Sequence, residues 1–117
     1  MLEGFRTNFI PNADANDLIL QLRTWESNDV GSTPKFHGDV EAALRSIQAQ
    51  VLYMPSDTDL YFPVTDARYE SGFMPRCDLI PIASLWGHTA GADESPEDAK
   101  FINEHVAKFL SDGQFGG

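Results

Sequence analysis

The sequence predicts an α/β fold in which two parallel strands with flanking helices form part of a larger sheet. Residues 51–54 and 79–83 are short apolar runs without polar alternation, which is typical of strands buried on both faces. A helix-length interval separates them, and a strand–helix–strand order implies a right-handed parallel crossover. Two parallel strands are too few to cover their own faces and edges, so we expect an incomplete domain.

The segment before the first strand contains two predicted helices. Leu18, Leu22 and Trp25 lie at helical spacing after several N-cap candidates, which predicts a helix over residues 15–25. Turn-forming residues then predict a loop, and Asp39 is placed to cap a second helix. The residues before the first helix have an irregular pattern.

One further helix lies between the strands and another follows them. Thr65 or Asp66 is expected to start the former, which ends at Gly72. Pro81 suits a strand end or an edge position, because proline has no N–H for the ladder. The last helix begins with Ser at N-cap, Pro at N1 and acids in its first turn, and Gly113 follows it as a stop. Its predicted buried face comprises Phe101, Ile102, His105, Val106, Phe109 and Leu110.

The composition is that of a small globular protein with an acidic surface. The chain has 117 residues, a net charge of −10 and eight Lys plus Arg, which supplies no basic face for a nucleic acid or an anionic membrane. No apolar run of the sequence approaches the length of about 20 residues that spans a bilayer. Cys77 is the single cysteine and cannot form an internal disulfide, so we expect a cytoplasmic setting.

Acidic and histidine side chains follow the two predicted strands. Asp57 and Asp59 come after the first strand, and His88 comes after the second. In an open parallel sheet, functional residues gather in the loops at the carboxyl ends of the strands, and adjacent strands lie about 5 Å apart. An aspartate and the histidine can therefore come within hydrogen-bonding reach. A carboxylate that orients a histidine supplies two members of a nucleophilic triad.

The third member, a nucleophile, is not evident in the sequence. No serine has glycine both two residues before it and two residues after it, and Cys77 and Ser84 lack the glycines of a nucleophile elbow. A metal site built from His88, Asp93 and Glu94 is an alternative, but this spacing matches no familiar ligand pattern. We therefore predict that no metal is bound.

Four short segments carry a family resemblance. They are Asp-Ala-Asn-Asp-Leu from Asp14, Ser-Asn-Asp-Val-Gly from Ser27, Asp-Leu-Tyr-Phe-Pro from Asp59, and Gly-His at residues 87–88. An acid and then a histidine on successive strand ends is also the end of the α/β-hydrolase order of nucleophile, acid and histidine. The chain resembles, over residues 5–111, the C-terminal portion of the homoserine O-acetyltransferase family.

The resemblance implies an α/β-hydrolase fold with a Ser-His-Asp triad. Acetyltransferases of this family move an acetyl group from acetyl-CoA to the homoserine hydroxyl through an acyl-serine. Asp59 matches the family acid because it lies directly before the Phe-Pro turn, whereas Asp57 does not, and His88 matches the family histidine. His88 would act as general base and then as general acid, with Asp59 as its orienter. No bound cofactor is implied, and acetyl-CoA is a candidate co-substrate.

The resemblance also divides the domain formed by residues 1–117. Residues 1–35 would correspond to the end of the lid that is inserted before the last strands, and residues 36–112 to the last strands and helices. A small-molecule substrate is implied, and a homodimer of the full-length protein is allowed. The substrate-binding candidates, which would face the active-site tunnel, are Asp14, Asn16 and Trp25.

Two features leave the activity open. Thr89 stands where typical acetyltransferases of the family have an Asp directly after the histidine, which leaves an esterase-like relative beside an acetyltransferase. With the acid and the histidine but no nucleophile, the chain is expected to be an inactive fragment when it is isolated. The alternative is a non-catalytic interaction module, or a truncated remnant, that docks on a partner through an exposed sheet edge.

Overall fold

A computed structural model of the chain describes residues 14–92 and 95–112. It confirms a mixed α/β fold in which two parallel strands are flanked by helices. Short 3₁₀ turns lie at Val30–Ser32 and Gly87–Thr89. The longer elements are, in chain order, α1 (Ala15–Glu26), α2 (Val40–Arg45), β1 (Val51–Tyr53), α3 (Val64–Ser71), β2 (Cys77–Leu79) and α4 (Pro96–Asp112).

The chain divides into two compact units, which meet in sequence between Val40 and Glu41. In the first unit, α1 lies where the helical spacing predicted it. It buries none of its side chains, and Leu22 and Trp25 are 57% and 63% exposed. A helix with a well-formed cap but no covered face is stabilised mainly by local hydrogen bonds, and such helices are marginal in water. The irregular first dozen residues of the prediction lie outside the described residues.

The second unit contains the sheet, in which β1 and β2 pair in parallel with Val51 opposite Cys77. The first strand lies within its predicted range of 51–54. The second was predicted at 79–83 and instead ends at the first residue of that range, so its predicted position was wrong. The pairing starts earlier because Val51 donates its N–H to the carbonyl of Arg76 at 2.8 Å.

One proline explains why the regular ladder is short. The N–H of Val51 points towards β2, and residue 55 has the same orientation in the ladder, but Pro55 has no N–H to donate. Beyond Pro55 the chains meet again at an isolated bridge between Ser56 and Ile82, and the N–H of Ile82 donates to the carbonyl of Pro55 at 2.8 Å. The segments that follow the two strands therefore leave the sheet side by side.

Little apolar surface is covered in the described part of the chain. The buried apolar residues are Ala43, Ala67 and Ile82. β1 was expected to be buried on both faces but is half-buried along its length. In α4, none of the six residues that were expected to be buried is buried: four are half-buried, and Val106 and Leu110 are 37% and 54% exposed. Two strands and their helices cannot cover both faces of a parallel sheet, as the predicted incompleteness implies.

The remaining predicted elements agree closely with the structure. α2 directly follows Asp39, and α3 begins at Val64, one residue before its predicted start. α4 begins at Pro96, and the hydroxyl of Ser95 accepts the N–H of Asp98 at 3.1 Å, as expected for an N-cap. Its predicted stop at Gly113 lies outside the described residues. No helix in residues 14–92 or 95–112 is long and apolar enough to cross a membrane.

Candidate active site

Asp59 and His88 meet just beyond the carboxyl ends of β1 and β2. Nδ1 of His88 lies 3.1 Å from Oδ2 of Asp59. The Asp59 side chain is 10% exposed and the His88 side chain is 49% exposed, so the pair is open to solvent on the histidine side. The two residues are 29 positions apart in the sequence, and the parallel pairing of the strands brings them together.

Asp59 divides its carboxylate oxygens between its own loop and the histidine. Oδ1 accepts the backbone N–H groups of Tyr61 at 2.8 Å and Phe62 at 3.2 Å, while Oδ2 faces His88. Partial burial raises the pKa of Asp59, but these N–H donors and His88 outweigh it and hold the pKa below its usual range. The carboxylate is therefore ionised at neutral pH and can accept the Nδ1 proton of the imidazole.

The histidine is carried by the 3₁₀ turn Gly87–Thr89. Gly87 has φ of 55°, and a Cβ at this position would lie 3.2 Å from the carbonyl oxygen of Thr58. Glycine adopts this left-handed conformation without strain, so the turn can approach the acid loop closely. Thr89, the residue that departs from the family pattern, donates its hydroxyl to the carbonyl of Trp86 at 3.0 Å and so closes the same turn.

Aromatic and apolar side chains border the imidazole. The ring centroids of Tyr61 and Phe62 lie 5.0 Å and 5.5 Å from that of His88. Phe62 and Ile82 help to line an open cleft of about 290 Å³ that reaches Asp59 and His88. Among the described residues, no hydrogen-bond partner reaches Nε2 of His88. This nitrogen is therefore placed to exchange a proton with a group that enters the cleft.

A larger groove of about 510 Å³ lies between β2 and α4 and includes Cys77 and His105. Burial and a neighbouring carboxylate raise the pKa of the Cys77 thiol, which disfavours the thiolate that a nucleophile requires. Nδ1 of His105 bonds to the carbonyl of Phe101 at 2.8 Å, one turn earlier in the helix. His105 is thus half-buried and bonded to its own helix, rather than buried as the sequence predicted.

No cluster of three candidate metal ligands occurs in residues 14–92 and 95–112. Asp93 and Glu94, which the alternative metal site would need beside His88, lie outside these ranges. His88 itself uses Nδ1 for Asp59, which leaves one ring nitrogen for any other ligand.

The three substrate-binding candidates lie in the first compact unit. Asp14 is the N-cap of α1, and its Oδ1 accepts the N–H of Asn16 at 2.7 Å. Trp25 lies near the other end of the helix and is largely exposed. Asp14 therefore has a structural function in the helix, and a role in substrate binding stays a prediction for all three residues.

Three polar residues near the site have no counterpart in the sequence prediction. The hydroxyl of Thr58 donates to the carbonyl of Ser84 at 2.7 Å, and the hydroxyl of Ser84 donates to the carboxylate of Asp98. The available signal was weak: Asp98 lies three positions after an N-cap serine, where an acidic residue commonly completes a capping box. These residues connect the two loops that carry Asp59 and His88.

Comparisons with known proteins find relatives that are named as an esterase and a homoserine O-acetyltransferase. A probable esterase of Corynebacterium glutamicum is 31% identical over 88 residues, which are 75% of this chain and 25% of the relative. A homoserine O-acetyltransferase of Clavibacter michiganensis is 36% identical over 91 residues, which are 74% of this chain and 23% of the relative. The chain thus spans about a quarter of the length of these curated relatives. No protein-family model matches it.

A solved structure agrees with these relatives. The acetyl esterase MekB superposes on this chain with a TM-score of 0.79 and 28% identity, over 93% of this chain and 31% of that one. The partial coverage matches the expectation that the chain corresponds to one part of a larger domain. The chain is therefore a relative of the homoserine O-acetyltransferases and acetyl esterases, and it carries part of an α/β-hydrolase fold.

Proposed function

We propose that this chain supplies the acid and the histidine of a Ser-His-Asp triad in an acyl-transfer enzyme. The observation that carries the proposal is the 3.1 Å contact between Asp59 and His88 at the ends of two adjacent parallel strands. The names of the relatives, an acetyltransferase and esterases, support it. The serine would come from a segment of a longer protein, because no serine of this chain has the glycines of an elbow.

In this proposal His88 moves protons and Asp59 orients it. Nε2 of His88 accepts the serine hydroxyl proton as the serine oxygen attacks the acyl carbonyl, and the ionised Asp59 stabilises the resulting imidazolium through Nδ1. The imidazolium then gives this proton to the leaving group, which departs and leaves an acyl-serine. In the second half, the acceptor hydroxyl gives its proton to Nε2 as it attacks the acyl-serine, and the proton returns to the serine oxygen.

The acceptor decides whether the enzyme is a transferase or an esterase. With acetyl-CoA and homoserine, the products are the free CoA thiol and O-acetylhomoserine. With an acetyl ester and water, they are an alcohol and acetate. Thr89, where the transferases of the family have an acid, uses its hydroxyl within its own turn, so both acceptors are to be tested.

The first test is genetic and enzymatic. The reading frame upstream of Met1 is searched for Gly-x-Ser-x-Gly, and the protein encoded by the whole frame is assayed with p-nitrophenyl acetate and with acetyl-CoA plus homoserine. We expect turnover of one or both substrates by that protein and none by the isolated 117-residue chain. Full activity of the isolated chain would contradict the proposal that the nucleophile comes from another segment of a longer protein.

The second test assigns the residues. In the protein encoded by the whole reading frame, Asp59→Asn and His88→Ala are expected to lower kcat by about 10³- to 10⁴-fold, because each removes one member of the triad. Asp57→Asn is the matched control, since Asp57 is the same residue type, two positions away and exposed. It is expected to retain kcat within about twofold. Wild-type kcat in either of the first two variants would reject the assigned roles.

A second candidate function is a non-catalytic module that docks through its sheet. In the described residues, the two-stranded sheet leaves one edge of each strand unpaired, and such edges pair readily with another chain. A promoter directly before the codon for Met1, with no elbow sequence in frame, would favour this function. The same result would argue against a triad completed by an upstream serine.

The setting and the partners belong to the same proposal. The free Cys77 supports a reducing, cytoplasmic location, and cell fractionation tests it. We also propose a small-molecule acyl acceptor, because the cleft beside His88 measures about 290 Å³.

A further inference from the structure

We infer that Thr58, Ser84 and Asp98 form a positioning network that fixes the contact between Asp59 and His88. The inference rests on the proposed function of that pair. None of the three residues is offered as a catalytic residue. Their expected effect is on the geometry of the loops that carry the acid and the histidine.

Thr58 joins the acid loop to the histidine loop through one hydroxyl. Its Oγ1 donates to the carbonyl of Ser84 at 2.7 Å and accepts the N–H of Gly87 at 3.0 Å. Thr58 directly precedes Asp59, and Gly87 directly precedes His88, so the hydroxyl connects the backbone next to each member of the pair. A hydroxyl can donate and accept at once, whereas a methyl group of the same size can do neither.

Ser84 holds the other side of the same turn. Its side chain is buried, and its Oγ accepts the N–H of Trp86 at 3.1 Å while donating to Oδ2 of Asp98. Asp98 is 8% exposed, and a buried carboxylate is costly without a hydrogen-bond donor. The carboxylate therefore fixes the orientation of the Ser84 hydroxyl, which in turn fixes the backbone that leads to Gly87.

The position of Asp98 in its helix shows that this bond is more than ordinary capping. Asp98 is three residues after Ser95, and a residue at this position commonly turns back to the N–H of the N-cap. Here Ser95 accepts the N–H of Asp98 at 3.1 Å, and its own hydroxyl donates to Glu97 at 3.2 Å. The Asp98 carboxylate instead faces Ser84, so the start of α4 is tied to the histidine loop.

Ser56 offers a matched control in the same part of the fold. It is 7% exposed, close to the 5% of Ser84, and it also lies beyond the end of a strand. Its Oγ has no hydrogen-bond partner among the described residues. Ser56→Ala and Ser84→Ala therefore remove the same buried atom, but only the second breaks the network.

The experiment reads the geometry of the pair directly. In the ¹⁵N-histidine-labelled 117-residue chain, the Asp59→Asn variant defines the Nδ1 signal of His88 without its ionised partner. We expect Thr58→Val and Ser84→Ala to move this signal towards the Asp59→Asn position, and Ser56→Ala to leave it in place. Thr58→Ser keeps the hydroxyl and should restore the wild-type signal. Wild-type signals in both Thr58→Val and Ser84→Ala would overturn the network.

Kinetics in the longer protein separate this inference from the proposed function. Thr58→Val and Ser84→Ala are expected to lower kcat about 10- to 100-fold with KM unchanged, because a small displacement of the acid–histidine pair impairs proton transfer but not binding. Asp57→Asn, the exposed control named above, is expected to keep both constants. If the ¹⁵N signals move as expected but the wild-type protein has no acyl-transfer activity, the network holds and the proposed function fails. If the wild type is active and Thr58→Val retains its kcat, the network fails and the function holds.

Discussion

In and beside the loops beyond β1 and β2, two polar side chains are buried while two large apolar side chains are exposed. Ser84 and Asp98 are 5% and 8% exposed and bond to each other, whereas Leu60 and Leu85 are 92% and 95% exposed. Most folded proteins show the reverse distribution. In the proposed network, contacts within the described residues position the acid–histidine pair, while large apolar side chains beside it are exposed. Exposed apolar surface of this kind commonly marks an interaction site.

The largest effect that tests this comparison is expected at Ile82. Its side chain is 5% exposed and belongs to the few buried apolar residues, so Ile82→Ala should lower the free energy of unfolding by about 2–4 kcal/mol. Leu85→Ala is the matched control three residues away, and it should change that free energy by less than about 0.5 kcal/mol. Urea unfolding followed by circular dichroism measures both. Equal losses would mean that Leu85 is covered in solution, and the comparison would break.

A smaller loss of stability is expected for Gly87→Ala. The left-handed backbone at this position costs an alanine about 1–2 kcal/mol, and the new Cβ would press on the carbonyl of Thr58. Gly38→Ala separates the two causes, since Gly38 also has a positive φ but no atom within 4 Å of an added Cβ. Both variants should be destabilised in thermal unfolding, but only Gly87→Ala should alter the Nδ1 signal of His88. An unaltered signal would show that the close approach of the turn does not set the pair.

Removal of the cap of α4 should cost less again. Ser95→Ala leaves the N–H of Asp98 without its hydroxyl partner, and losses of this kind average about 1 kcal/mol. Ser111→Ala near the end of the same helix removes an exposed hydroxyl and is expected to be neutral within about 0.5 kcal/mol. Chemical denaturation of the two variants gives the difference. A neutral Ser95→Ala would indicate that Ser84 alone anchors the start of the helix through Asp98.

Local signals account for the parts of the fold and site that the sequence predicted. The cap at Ser95 and the two loops that carry Asp59 and His88 follow from residues close together in the chain. Predicting the contact between Asp59 and His88 required one further step, the parallel pairing of the two consecutive strands. Their geometry agrees with that expectation, and their catalytic role is still a prediction.

The features that the sequence did not predict depend on partners far apart in the chain. The early end of β2 follows from the register, in which Pro55 of the paired segment lacks the N–H for the next ladder bond, and hydrophobicity alone placed the strand too late. The Thr58–Ser84 and Ser84–Asp98 bonds span 26 and 14 residues, and a hydroxyl carries no pattern that identifies so distant a partner. Amphipathic spacing in α4 likewise identified an apolar face but could not show that Leu110 is exposed.

The smallest effect is expected from the contact between Asp59 and His88 itself. The backbone N–H of Tyr61, His88 and the backbone N–H of Phe62 hold the pKa of Asp59 below its usual range, so these contacts together stabilise the folded chain above the ordinary aspartate pKa of about 4. That stabilisation is lost as the pH falls through the lowered pKa and the carboxyl is protonated. Urea unfolding of wild type and Asp59→Asn should therefore differ slightly at pH 7 and converge in acid, with Asp57→Asn as the control for the loss of one charge.

The difference at pH 7 should be small because His88 is half-exposed, and solvent screens such a pair. A large difference would mean that the pair belongs to the structural interior together with Ser84 and Asp98. A small difference would distinguish two kinds of polar contact beside the site. One is a buried network that holds the backbone in place, and the other is a solvent-exposed pair with an ionised carboxylate. Substitutions in the buried network then leave the proton-transfer group His88 in place, so the contribution of the network to kcat can be measured.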